Sequence, residues 1–290
     1  MRIGFIGFGE ASSSIAEGFY KEGIQDLLAF DIRYINPAYE EKLAEKMKGV
    51  GVKPAATAKE VAENSDVIFS AVPGNYAVSA AKDTVAGLRS DTLYADVSTA
   101  TPAEKKEIAR LVEAKGGKFI DGAMMGLVSK LKHKVPMLIS GSGIEEFAKL
   151  MTPYHMGLTK INEIPGVATS IKFIRSITAK GFACLVIESL QAAQKFGVEE
   201  MIVDSLCQSL GGPKFEKIVD AFVSSTMVHA ERRAHEMENV VEFLKKSELP
   251  STMSEATCEK LSWIYAQDIK SRFSGEVPQS WRDVIEKWGL

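Results

Sequence analysis

Residues 3–12 read I-G-F-I-G-F-G-E-A-S, and this stretch sets the fold of the first half of the chain. Ile3 to Ile6 make a short apolar strand, Gly7 and Gly9 a tight turn, and Ser12 to Lys21 a helix. A strand that turns sharply into a helix aims backbone N–H groups and a positive dipole end at one spot. Glycine belongs there because a Cβ would hold the backbone away from a phosphate. The pattern is Gly4-x-x-Gly7-x-Gly9, with Ser12 where a third glycine is usual. Ser12 is small enough for helix to pack on strand, and the strand–turn–helix context is what a dinucleotide-binding turn requires. The segment Gly7, Phe8, Gly9, Glu10, Ala11 and Ser12 is therefore expected to hold a pyrophosphate.

The second strand, Leu27 to Phe30, ends at Asp31, 22 residues after Gly9. An acid there accepts from the adenosine ribose hydroxyls and favours NAD. Arg33, two residues on, can reach a 2′-phosphate, so NADP stands as the alternative. Further apolar runs at 66–72, 93–97 and 118–120 alternate with helical patterns, as in a parallel sheet covered on both faces. Ligands bind beyond the carboxyl ends of such strands. Two of those ends are Val72-Pro73-Gly74 and Asp96-Val97-Ser98-Thr99. Ser98 and Thr99 either hold the nicotinamide ribose or substrate, or cap the helix that starts near Pro102.

The pattern changes near Pro165-Gly166. A long helical stretch from Ala168 to Lys195 is followed by helices at about 199–209, 214–224, 226–246 and 252–272, with no convincing strand. The expected fold class is an α/β Rossmann domain, doubly wound with a mostly parallel sheet. A long interdomain helix joins it to an all-α C-terminal domain, and the domains are expected to span 1–164 and 165–290.

Composition narrows the partners. The 290 residues suit about two domains of ordinary size. A formal charge of -3 and a pI near 5.9 provide no overall basic field, so neither nucleic acid nor an anionic membrane is an expected partner. No run is long and apolar enough to span a bilayer. The run after Met1-Arg2 is broken by glycines and stops at Glu10, too short for a secretory leader. Cys184, Cys207 and Cys258 are odd in number and far apart, which fits a reducing cytoplasm better than a disulfide framework.

Taken together, the motifs resemble the β-hydroxyacid dehydrogenase family, which includes 3-hydroxyisobutyrate and 6-phosphogluconate dehydrogenases. The likeness rests on I-G-F-I-G-F-G at 3–9, S-A-V-P at 70–73, D-V-S-T-A-T-P at 96–102, D-G-A-M-M-G at 121–126 and G-V-A-T-S-I-K at 166–172. It implies hydride transfer between a nicotinamide cofactor and a small anionic 3-hydroxy acid, or reduction of the matching keto acid or semialdehyde. It also implies no metal, and a homodimer joined through the helical domain. Lys172 matches the family's catalytic lysine. A lysine can take the hydroxyl proton as hydride leaves, and return it in reverse, where burial or a cationic neighbour lowers its pKa. Arg175, three residues on, is such a neighbour.

The departures point to a divergent branch with its own substrate. Met125-Gly126-Leu127 stands where the family has Ser-Gly-Gly on the substrate carboxylate, and Ser176 stands where it has asparagine. Positive charge is available in Lys130 to Lys134, a segment placed to close over an anion, and in Arg232 and Arg233. Arg232 is a candidate substrate anchor, the alternative being an ion pair within its own helix. Two other readings stay open: an imine reductase-like enzyme, in which the lysine is commonly replaced, and a dinucleotide-binding sensor without turnover.

Overall fold

The computed structural model describes residues 1–211, 213–273 and 276–288. The chain divides into two compact units, Met1–Lys172 and Phe173–Leu290. The first unit is an eight-stranded sheet in the order β3-β2-β1-β4-β5-β6-β7-β8. Its strands are β1 Ile3–Ile6, β2 Leu27–Phe30, β3 Val52–Pro54, β4 Val67–Ser70, β5 Leu93–Asp96, β6 Lys118–Met124, β7 Met137–Ser140 and β8 Leu158–Lys160. Every pairing is parallel except β6 with β7. This is the doubly wound α/β class expected from the alternating apolar runs; the short strands β3 and β8 had no sequence signal of their own.

Alternate residues feed two cores, one on each face of the sheet. Ile3, Phe5, Phe69 and Ala95 pack on one side with Ile15 and Phe19 of α1 (Glu10–Lys21). Ile6, Ile68, Tyr94 and Phe119 pack on the other with Ile108 and Val112 of α5 (Pro102–Glu113). Between these helices lie α2 Pro37–Lys48, α3 Ala58–Glu63 and α4 Ala77–Val85. They are followed by α6 Val128–Leu131 and α7 Ile144–Met151. Thr101 starts α5 with a capping box: Glu104 N–H donates to its hydroxyl, and its own N–H donates to the Glu104 carboxylate. The expected alternative of Ser98 and Thr99 as the caps is thereby corrected.

The helix α8, Val167–Phe196, begins in the first unit. The division between units falls after Lys172, inside α8, rather than after residue 164. The first turn of α8 goes with the sheet because its backbone is bonded there: Ala168 N–H donates to Ser140 Oγ and Thr169 N–H to Asp121. Gly166 makes the approach possible. Its φ is +89°, and a Cβ would lie 2.7 Å from the Pro102 carbonyl oxygen.

The second unit is helical, with the rest of α8, α9 Glu199–Leu210, α10 Pro213–Lys246, α11 Thr252–Ala266 and α12 Trp281–Trp288. A core of Ile187, Leu190, Val219, Val223 and Trp281 fills it. The sequence reading splits α10 near residue 225. Instead the helix runs on and breaks its geometry at His229 (φ -117°, ψ 18°). Arg233 spans the break by donating to the hydroxyls of Ser225 and Thr226. The expected helix at 252–272 stops at Ala266, and α12 is an addition, its Trp281, Val284, Ile285 and Trp288 forming one buried stripe. Among the described residues, no helix is long and apolar enough to cross a membrane.

Residues 128–134 fold back on α1. Lys132 pairs with Glu17 at 2.7 Å and Lys134 with Glu22 at 2.7 Å. That takes up charge which the sequence reading offered to a ligand. His133 is buried between them, its ring 5.1 Å from that of Phe19. Burial pushes the imidazole below its ordinary 6.5, and the Tyr154 backbone and the Glu22 carboxylate 3.7 Å away oppose this only in part. The unfolded chain takes up a proton near pH 6.5 that the folded chain refuses. Stability is therefore full above pH 6.5 and falls as the pH drops through that value toward the lower folded one. Urea unfolding should show a lower midpoint at pH 5.5 than at pH 8, and His133→Phe should shrink the difference. An equal difference in the variant would remove His133 as the cause.

Candidate functional site

At the end of β1 the glycine turn has the expected form. Gly7 has φ +78°, and a Cβ would lie 2.8 Å from Val72 Cγ1 and 3.1 Å from the Ala71 carbonyl oxygen. Val72 is thus the wall against which the turn packs. Beside Gly9 the reverse holds: nothing lies within 4 Å of where a Cβ would stand. Gly9 is also the N-cap of α1 and offers no side chain to its first-turn N–H groups. An open space facing uncapped amides suits a pyrophosphate at Gly9, Glu10, Ala11 and Ser12. Ser12 is fully buried against the sheet, as its small size requires. Phe8 sends its ring into the core and its N–H to Asp31 Oδ2 at 2.8 Å.

Asp31 is 5% exposed and is gripped by Arg33. Arg33 Nε donates to Oδ1 at 2.9 Å, Nη2 to Oδ2 at 2.6 Å, and the Arg33 N–H to Oδ1 at 3.0 Å. Burial pushes the carboxyl up. The Arg33 fork and the Phe8 N–H more than offset this and hold it below the usual range. Lys46 of α2, which the sequence reading did not select, donates to the Gly9 carbonyl at 3.1 Å.

The other two strand ends meet. A Cβ on Gly74 would lie 2.9 Å from the Thr99 backbone, so the segments 72–74 and 98–100 are in contact. Ser98 N–H donates to Asp96 Oδ1 at 2.8 Å, and Ala100 N–H to Ser98 Oγ at 3.2 Å. The Ser98 hydroxyl keeps its own proton to give. Pro73 precedes the turn at Gly74–Tyr76. Met125 N–H is committed to the Pro136 carbonyl at 2.7 Å. Gly126 is exposed, with side chains of Val135 and Leu131 at ordinary contact distance from a Cβ position.

Beneath these ends lies a network that the sequence reading missed. Ser70, Asp96, Asp121 and Ser140 form one lateral row across β4, β5, β6 and β7, and all four are fully buried. Lys105 of α5 is equally buried over that row. Its Nζ donates to the Asp96 carbonyl at 2.7 Å and to Asp96 Oδ1 at 2.8 Å, and lies 3.5 Å from Asp121 Oδ1. Asp121 in turn accepts from Thr169 Oγ1 at 2.6 Å, from Thr169 N–H at 3.0 Å and from Ser140 Oγ at 3.2 Å. The carboxylate thus caps the first turn of α8, where the helix dipole favours an anion. Lys172 follows Thr169 by three residues on that helix and is half-buried.

The remaining candidates fall in the second unit. Arg175 is exposed. Ser176 Oγ accepts from Lys180 Nζ at 3.0 Å. Arg232 is exposed and pairs with Glu236 at 3.0 Å, the intrahelical arrangement weighed for it. Arg233 is the more enclosed of the two, and burial lowers its pKa.

The sequence of residues 2–153 matches the profile of the NAD binding domain of 6-phosphogluconate dehydrogenase, and residues 193–264 match a domain of unknown function, DUF1932. The chain belongs to that dehydrogenase family. Among solved structures it is similar to a conserved hypothetical protein from Sinorhizobium meliloti, at 31% identity and a TM-score of 0.77 over 99% of this chain and 95% of that one. It is also similar to a conserved protein of unknown function described as resembling 3-hydroxyacid dehydrogenases. That likeness has 27% identity and a TM-score of 0.72, over 96% of this chain and all of the other. The mitochondrial 3-hydroxyisobutyrate dehydrogenase of Drosophila melanogaster is 34% identical over 126 residues, 43% of this chain and 36% of that enzyme. A divergent member of the 3-hydroxyacid dehydrogenase type is what these likenesses describe.

Proposed function

We propose that the protein transfers hydride between a nicotinamide dinucleotide and a small anionic 3-hydroxy acid, or reduces the matching keto acid or semialdehyde, with Lys172 as general acid/base. The observation that carries the reading is the first turn of α8, tied by Ala168 and Thr169 to Ser140 and Asp121 at the strand ends. A proton-transfer group needs a fixed place before it needs a tuned pKa, and Lys172 sits one turn from this anchor.

The uncapped amides of Gly9, Glu10, Ala11 and Ser12 would hold the pyrophosphate, and the open space beside Gly9 fits it. Asp31 and Arg33 would meet the adenosine ribose, with Val72, Pro73, Ser98 and Thr99 lining the nicotinamide half. When bound, the dinucleotide takes the hydride from the carbinol carbon or gives one to the carbonyl carbon. Lys172 takes the hydroxyl proton as the C–H bond breaks, and returns it to the oxygen in reverse. Ser98 donates a hydrogen bond to the substrate, and the Met125-Gly126 segment borders it. With Met125-Gly126-Leu127 standing where the family has Ser-Gly-Gly, the substrate is not assumed to be one of the family's usual ones. The reaction belongs in a reducing cytoplasm, where Cys184, Cys207 and Cys258 stay free thiols. We also infer a homodimer formed through the helical unit, which exposes Leu185, Phe196, Met201, Leu210 and Ile218.

A screen of 3-hydroxy acids, aldonates and their phosphates, read by nicotinamide absorbance, should find a substrate. Lys172→Ala should then abolish its turnover while dinucleotide affinity stays within about twofold. Normal kcat in Lys172→Ala would remove the lysine from the mechanism. Tight dinucleotide binding with no turnover of any compound would favour the sensor reading instead. Sedimentation velocity should give twice the 31.6 kDa chain mass; a monomer at all concentrations would refute the dimer.

A further inference from the structure

We propose that Arg33 and Lys46 form a 2′-phosphate cradle, so that the protein prefers NADP(H) to NAD(H) in spite of the acid at the end of β2. The inference rests on the dinucleotide reading above and adds the cofactor's class to it.

A carboxylate that reads a ribose diol needs lone pairs to spare, and an ionised one offers about four acceptor positions. Asp31 has them filled. Oδ2 accepts from Phe8 N–H and Arg33 Nη2, and Oδ1 accepts from the Arg33 N–H and Nε. The two-pronged guanidinium contact also neutralises its charge. For the diol to bind Asp31, Arg33 would first have to let go.

The cations are better placed for a ligand. The Arg33 side chain is 51% exposed while its partner's is 6% exposed. Of the five N–H donors that a guanidinium carries, the Nε–H and one Nη2–H are held by Asp31, and the others remain for an incoming anion. Lys46 arrives from α2. Its Nζ donates to the Gly9 and Phe8 carbonyls at 3.1 and 3.4 Å and stands 5.8 Å from the centre of the Phe8 ring. The lysine is thus fixed to the very turn that receives the dinucleotide. Burial lowers its pKa and the neighbouring charge of Arg33 lowers it further, with Asp31 and Glu10 opposing. Lys46 and Arg33 disfavour one another across a single carboxylate, which leaves the three groups with one net positive charge, and Glu10 is exposed to solvent. An anion between them removes the repulsion. A phosphomonoester brings about -1.5 to -2 charge at neutral pH and three acceptor oxygens, matching an arginine fork beside a lysine point charge. A neutral ribose diol supplies neither.

The test is titration of the full-length protein with NADPH and with NADH, followed by nicotinamide fluorescence, and competition by 2′,5′-ADP and 5′-ADP. NADPH should bind about tenfold or more tighter, and 2′,5′-ADP should be the better competitor by a similar factor. Arg33→Ala should invert the preference by freeing Asp31. Lys46→Met, which keeps most of the stem, should weaken NADPH about fivefold more than NADH. Circular dichroism establishes that each variant is folded. NADH binding as tight as NADPH, or both variants weakening the two dinucleotides equally, would overturn this inference alone. Binding of neither dinucleotide would overturn it together with the dehydrogenase reading.

Discussion

The Lys105 ammonium, buried between Asp96 and Asp121, is the interaction on which the site depends. Burying three charged groups is costly unless each is paired and hydrogen-bonded, and here the pairing comes from four separate elements. Lys105 comes from α5, Asp96 from β5, Asp121 from β6, and the amide and hydroxyl of Thr169 from α8. No member can be satisfied unless the others are in place. The sheet end that carries Ser98 and the first turn of α8 are therefore fixed with respect to each other by one requirement: no charge may be left alone in the core.

A second constraint acts at the other end of the dinucleotide path. The turn at Gly7 closes against Val72, and the Phe8 N–H reaches Asp31, so the β1 turn, the β2 end and the β4 end set one another's positions. Arg33 grips that carboxylate, and Lys46 reaches the Gly9 carbonyl of the same turn. A chain of net charge -3 thus carries locally positive ground where an anion is expected. Lys132 and Lys134 are no part of it, since Glu17 and Glu22 hold them to α1.

Much of this was legible in the sequence. The glycine turn, the strand–helix alternation and the helix that begins after Pro165-Gly166 follow from local periodicity, and they hold in the structure. What was missed depends on contacts between elements distant in sequence. Lys105 shares a stripe with Ile108, Ala109 and Val112, which are three, four and seven residues on and all buried. A cation on an apolar stripe was a readable signal, but its partners lie 9 and 16 residues away on two strands whose register no local pattern gives. Asp121 within the apolar run F-I-D-G was a similar signal. Lys46 had none, because the angle at which α2 crosses the turn is set by packing. The role of Thr101 as the helix cap is legible in Thr101 and Glu104 at capping-box spacing, whereas Ser98 and Thr99 lie nearer the strand end. In the second unit, Arg232 and Ser176 meet partners four residues away on their own helices, Glu236 and Lys180.

The central claim is that one buried charge holds the start of α8 on the strand ends. Amide hydrogen exchange on Lys105→Met, with denaturant unfolding alongside, tests it most directly. With two carboxylates left uncompensated, unfolding free energy should fall by about 3–5 kcal/mol. Exchange at Ala168 and Thr169 should also quicken more than in the β1 and β4 core. A loss below about 1 kcal/mol, with exchange at Thr169 unchanged, would contradict the account.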